Sequence, residues 1–202
     1  MLALELPRMT GLPDRAALLP LILLAALVAS VATIVLSTAQ AFSVEGSSMA
    51  PSLHSGQLLV VNKLAYVRLD GTPIAQLLPG AQAGAAHYLF GGPRRGDLIV
   101  FQSPTIMQDG DFVKRLIAVP GDTVLVKAGQ LFVNGALLDE SYVKFHDDYT
   151  FPTDGVALRI PESAYFVLGD NRGASVDSHL GWFVPADNLI GPALALPLGG
   201  LG

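Results

Sequence analysis

From Ala16 to Ala39 the chain reads AALLPLILLAALVASVATIVLSTA, without one charged residue. As an α-helix this stretch would be about 36 Å long, against a hydrocarbon core of about 30 Å. A run so apolar must be covered by protein or by lipid, and its length predicts a membrane anchor. Arg8 and Arg15 precede it and Glu45 is the first charge after it. The positive-inside bias then puts the N-terminus in the cytoplasm and everything after Phe42 outside. A cleavable signal peptide is the rival reading, because Ala39-Gln40-Ala41 has the small-x-small form of a processing site. Signal h-regions are about 7–15 residues, and this run exceeds them, which favours the anchor. The expected organisation is a short cytoplasmic segment over 1–15, a transmembrane anchor over 16–41 and an extracytoplasmic β-rich domain over 42–202. The terminal ALALPLGGLG is too short to span and reads as a frayed tail.

The remaining composition narrows the chemistry. With 202 residues there is room for one folded domain of ordinary size beside the anchor. Twelve Lys+Arg against 17 Asp+Glu, with no basic run, give no electrostatic footprint for a nucleic-acid backbone. The absence of cysteine excludes disulfides, thiolate metal sites and a Cys nucleophile.

After Phe42 the sequence breaks into short runs rich in β-branched and aromatic residues, separated by Gly, Pro and Asp, which predicts a mainly β, compact antiparallel domain with long loops. Strands are expected over 57–66, 97–103, 112–119, 122–128, 130–135 and 164–170. Pro120-Gly121-Asp122, Asn134-Gly135 and Gly91-Gly92-Pro93 supply the turns between them. Two stretches, 71–92 and 144–155, read as long surface loops.

Neither a His-x-x-x-His pair nor a phosphate-binding Gly-x-x-x-x-Gly-Lys-Ser/Thr loop occurs. His146-Asp147-Asp148 reads as a solvated turn rather than a cation site, and no metal or cofactor is expected. A Ser-His-Asp triad could be written from Ser48, a histidine and an aspartate, but no spacing favours one set. Lysine is the remaining candidate base, since burial can hold an amine neutral. Lys114 alone lies inside a strongly apolar strand, DFVKRLIAVPGD. Alternation puts it on a face with Phe112, Leu116 and Ala118. The opposite face, Val113, Arg115 and Ile117, is also mostly apolar, so an exposed lysine guarding an edge strand fits the spacing equally well.

Four segments, GSSMAPSL (46–53), RGDLIVF (95–101), FVKRLIAVPGDTV (112–124) and LGDNRGASVDSHLGWFVP (168–185), resemble in order and separation the sequence boxes of bacterial type I signal peptidases. The resemblance runs from the anchor to about Gly191. It implies a monomeric, membrane-anchored Ser/Lys endopeptidase of mostly β fold, acting on exported preproteins at the lipid surface and cutting after small residues at positions -1 and -3. It implies Ser48 as nucleophile and Lys114 as general base, with Ser175 holding the amine by a hydrogen bond. Asp177, Asp170 and Arg115 would form the charged support. Gly46 would let the backbone approach the scissile carbonyl and the Ser48 N–H would serve the oxyanion. Phe42, Val44, Met49, Leu53 and Val113 match positions around the pockets for the two small side chains, with an extended substrate added as a strand beside 42–46. Ser48 follows Ala41 by at most about 25 Å of extended chain, close to where a signal peptide emerges.

The chain departs from that pattern in places. Gly46 stands where many relatives carry a serine. Gly173, Ala174 and His179 replace Asp, Asn and Arg in the last box, which leaves Asp177 without its usual arginine. A plasmid-transfer maturation peptidase uses the same Ser/Lys scheme, and a catalytically inactive, membrane-tethered peptide-binding β module is the alternative outside the enzymes.

Overall fold

The computed structural model describes residues 15–69, 88–104, 110–144 and 148–197, with the backbone alone at 15–17 and 35. The loop expected over 71–92 and the His146-Asp147 pair therefore fall largely outside the described residues. The chain divides into two compact units, Met1–Thr38 and Ala39–Gly202.

The first unit holds one helix, α1 (Arg15–Ser37). Its described side chains are exposed from Leu18 onward, and all are uncharged, most of them apolar. Ser30 Oγ donates to the Ala26 carbonyl at 2.8 Å and Thr33 Oγ1 to the Ala29 carbonyl at 2.9 Å, so both hydroxyls are satisfied within the helix. Among the described residues no helix is long and apolar enough to cross a membrane.

The second unit is built of antiparallel strands, as the alternation predicts. A seven-stranded sheet contains β1 (Ala39–Ser43), β2 (Leu58–Asn62), β3 (Leu98–Gln102), β4 (Asp111–Ala118), β9 (Ala164–Leu168), β10 (Val184–Pro185) and β11 (Leu189–Ala195), in the order β1-β2-β11-β3-β4-β9-β10. A four-stranded sheet follows the order β7-β6-β5-β8, from β5 (Thr123–Lys127), β6 (Gln130–Val133), β7 (Ala136–Leu137) and β8 (Leu158–Arg159). Asn134 and Gly135 both take positive φ, 52° and 77°, which makes the β6–β7 turn a tight hairpin of the kind Asn-Gly favours.

Three expectations need correction. Residues 39–41, assigned to the anchor, belong to β1, paired Ala41 to Val60 and Phe42 to Leu59. The strand expected over 57–66 ends at Asn62, whose side chain accepts from the Leu64 N–H at 3.0 Å and caps a 3₁₀ turn, Lys63–Tyr66. The tail is not frayed from 193: Ala193, Leu194 and Ala195 pair with Val61, Val60 and Leu59. Gly191 and Pro192 hide β11 from a strand reading, because both are depleted in strand interiors. Here they suit a close crossing. A Cβ on Gly191 would lie 2.5 Å from the Asn62 carbonyl oxygen, and Pro192 sits where β11 changes partner from β3 to β2.

Hydrophobic packing joins the sheets. Ile117, Ala118, Val124, Val126, Leu131, Phe166 and Leu168 form one cluster, and Ile99, Phe101, Leu116, Tyr165 and Val167 another. All five residues of β9 are buried, so its two faces serve the two clusters. A third cluster, Val44, Met49, Leu53 and Leu59, lies under the Ser48 turn. Each fully buried Leu or Met there contributes about 1.5–3 kcal/mol of burial energy to holding that turn in place.

Candidate active site

Ser48 is carried by a loop between β1 and β2 whose ends are pinned by backbone hydrogen bonds, Val44 N–H to Gln57 O at 2.9 Å and Gly56 N–H to Val44 O at 2.8 Å. Met49 and Leu53 are each 1% exposed and drive this loop onto the core. Gly46 has φ +80° with open space where a Cβ would be, so its backbone angle, and not crowding, selects glycine over the serine of many relatives. From the other side, Asn171 donates its N–H to the Ser48 carbonyl at 3.0 Å and its side-chain amide to the Ser47 carbonyl at 3.1 Å. Asn171 lies in the LGDNR segment but was given no role from sequence.

Lys114 comes from β4, which pairs with β3 on one side and β9 on the other. The edge-strand alternative is thereby removed: β4 is interior, and Lys114 is only 3% exposed. Its ammonium group lies 2.6 Å from Ser48 Oγ, as donor, and 5.7 Å from the Phe112 ring centre. Burial pushes its pKa down to about 8, against the opposing pull of the Asp177 and Asp170 carboxylates. An appreciable neutral fraction thus exists near neutral pH.

The neighbouring Arg115 points the other way. Its Nε and Nη2 donate to the two Asp170 oxygens at 2.8 and 2.6 Å, Nη1 donates to the Gly96 carbonyl at 2.9 Å, and the guanidinium lies 4.0 Å over the Tyr142 ring. Burial works against its charge, yet the Asp170 hydrogen bonds and charge hold its pKa above the ordinary value.

Asp177, 0% exposed, accepts from the Gly169 N–H at 2.8 Å through Oδ2, while Oδ1 accepts from the His179 N–H at 3.2 Å. Its missing arginine is made good within the same turn: His179 Nδ1 lies 2.6 Å from Asp177 Oδ1. Ser175 differs from expectation. Its hydroxyl is buried without a hydrogen-bond partner, so it does not hold the Lys114 amine, whose hydrogen bond goes to Ser48. Ser175 instead presses on Gly169, where an added Cβ would lie 2.2 Å from its Oγ and 2.5 Å from the Ser48 carbonyl oxygen.

A cleft of about 360 Å³ opens beside the pair, with Ser48 and Lys114 in its wall. Phe42, Val44 and Val113 line it; Met49 and Leu53 do not, because their side chains are buried in the core cluster. Leu59, Val100 and Phe112 line it as well and were missed. They come from three separate strands, and no local pattern marks them. Arg95 and Asp122, from two of the quoted segments, form an ion pair joined by Asn134 at 2.9 Å, which ties β3 to the β4–β5 turn rather than serving the cleft.

A family model described as signal peptidase, peptidase S26, matches residues 15–196. The chain therefore belongs to that peptidase family. Signal peptidase I of Bacillus caldolyticus is 36% identical over 80% of this chain and 80% of its own length, and signal peptidase I U of Bacillus subtilis is 34% identical over 86% and 81%. Signal peptidase I of Leptolyngbya laminosa is 34% identical over 77% of this chain and 67% of its own. This protein is accordingly an enzyme of the type I signal peptidase class, a serine peptidase. A solved signal peptidase I from Enterococcus faecalis aligns at 36% identity over 50% of this chain and 95% of that one, with a TM-score of 0.43.

Proposed function

We propose that the protein removes signal peptides from exported preproteins with Ser48 as nucleophile and Lys114 as general base. The observation that carries the reading is a serine hydroxyl 2.6 Å from a nine-tenths buried amine with a lowered pKa, at the wall of a cleft lined by Phe42, Val44 and Val113. The neutral amine takes the Ser48 proton as Oγ attacks the scissile carbonyl, and the Ser48 N–H stabilises the oxyanion beside the φ-permissive Gly46. The ammonium then gives that proton to the leaving amine. A water, deprotonated by the same lysine, opens the acyl-enzyme. Ser175, whose buried hydroxyl has no partner in the resting site, is free to accept from the ammonium once Oγ is acylated.

Cleavage after small residues at -1 and -3 fits the cleft. A substrate in extended form projects alternate side chains to one side, so both positions would face Phe42, Val44 and Val113. Among the described residues β1 is paired on one side alone, by β2, which leaves an edge for strand addition. The anchor reading is supported by the uncharged run from Ala16 to Ala39 and by hydroxyls satisfied inside α1. With it, the enzyme is a single-pass protein of the cytoplasmic membrane whose catalytic unit faces outward.

The test is cleavage of a model preprotein by purified protein. Ser48→Ala and Lys114→Ala should each abolish processing while leaving the fold intact by circular dichroism, and the double variant should be no worse than either. Ser175→Ala should weaken turnover without eliminating it. Processing by Ser48→Ala would remove the assignment.

A further inference from the structure

The departure at His179 leads to a position-specific device. Asp177 is wholly buried, and its two oxygens meet the Gly169 N–H, the His179 N–H and the His179 ring. Gly169 is in turn pressed against the Ser48 carbonyl and Ser175, with no room for a Cβ. The path from imidazole to nucleophile is thus continuous: ring, carboxylate, backbone N–H, Ser48. Asp177 also faces Lys114 as the leading charge opposing its deprotonation.

We propose that His179 is a positioning residue for the Ser48–Lys114 pair, holding Asp177 against the Gly169 backbone and setting by its own charge how strongly that carboxylate attracts the Lys114 ammonium. The imidazole is suited to this because it reaches solvent. Its side chain is 25% exposed and lies in the wall of a cleft of about 510 Å³ shared with Asp148, Tyr149 and Arg172. The Tyr149 ring stands 5.4 Å from it, and Arg172 is committed to Glu140 and the Gly169 carbonyl. Among the described residues, the charged and titratable groups around His179 include Asp177 on its own turn, Asp148 and Tyr149 on the facing segment, and the Arg172–Glu140 pair.

An arginine at this position would neutralise Asp177 at every pH. Histidine does so only while its ring carries the second proton. As pH rises, the imidazolium loses its proton, Asp177 is left uncompensated, and Lys114 is held in its charged form more firmly. The two titrations oppose each other, so activity climbs with pH over a wider range than one group would give.

The inference rests on Lys114 acting as base, and its test separates the two. In a pH profile of kcat/KM for preprotein cleavage, His179→Arg should move the rising limb to lower pH by about half a unit, roughly three-fold more relative activity on that limb, and sharpen it to a single-proton curve. His179→Gln should also be single-proton but keep the wild-type upper position. Limbs that superimpose on wild type would overturn the inference. Independently of activity and of any His179 variant, coupling must be reciprocal. The His179 ring titration, followed by NMR and assigned by replacing His54, His87 and His146, should move to higher pH in Lys114→Met, which removes a facing positive charge. An unmoved titration also overturns it. Failure of the base assignment itself has a different signature, namely turnover by Lys114→Arg.

Discussion

Lys114 and Arg115 are consecutive residues of β4, both cations, and the sheet sends them to opposite environments. The lysine is buried with its amine donating to the Ser48 hydroxyl, and burial lowers its pKa. The arginine meets both oxygens of Asp170, itself 1% exposed, and its pKa is raised. Burial alone therefore does not decide charge. A contacting carboxylate does, and the strand's two-residue period assigns that carboxylate to one face only. One side of β4 carries an amine whose pKa is lowered and the other a guanidinium whose pKa is raised.

The largest test of this contrast is Lys114→Arg, which retains charge and length but cannot deprotonate at working pH. Preprotein cleavage should fall by about a thousand-fold or more. Near-normal turnover would mean that the two faces do not differ in function. Next in size, Asp170→Asn leaves the Arg115 guanidinium without its counter-charge in a largely buried site. The protein should lose about 3–5 kcal/mol in denaturant unfolding. A loss within error of zero would show that Arg115 is held by Gly96 and Tyr142 instead.

Lys114→Met sharpens the comparison with the opposite sign. Because the Lys114 pKa falls from its ordinary 10.5 to about 8 on folding, the unfolded chain holds the proton more tightly than the folded one between those values. Wild-type stability should rise with pH across that window, and the burial penalty is present in full below it. The methionine variant should be more stable than wild type at pH 7, by up to roughly 3 kcal/mol, and its advantage should fade toward pH 10.5. An equal change at both ends of the window would contradict the assigned titration. The same pKa puts the midpoint of the rising activity limb near pH 8, to be read from kcat/KM. The smallest effect is expected at Gly46. Gly46→Ala meets no atom but must hold φ +80°, so a loss of about 1 kcal/mol in stability is expected.

Much of this architecture was legible before any coordinates. Alternating runs marked β3, β4, β5, β6 and β9, and Asn134-Gly135 marked a turn, because those signals are local. β1 and β11 were not legible. Residues 39–41 follow the uncharged run without a charge or strand-like alternation to set them apart, and Gly191-Pro192 breaks the strand pattern for the sake of a crossing set by Asn62. The site divides in the same manner. Ser48, Lys114, Asp170, Arg115 and Asp177 stood out through the four quoted segments, and the structure brings them into one neighbourhood. The contacts of Asn171 with Ser47 and Ser48 and of His179 with Asp177 needed the fold, as did the burial of Met49 and Leu53 in the core cluster.

The sequence by itself determined that this chain carries an uncharged apolar run, a β-rich unit and the boxes of its peptidase family. Those properties depend on residue type, order and short-range period. Only the tertiary structure decided which face of β4 meets a carboxylate, that the strand is interior and not an edge, and that Asp177 finds its partner in His179. Each of these turns on a few ångströms between segments about 50 residues apart, or on the path of a single turn. Burial and pairing, which set the charge of a lysine or an arginine, are properties of that assembled neighbourhood and not of the residues read in order.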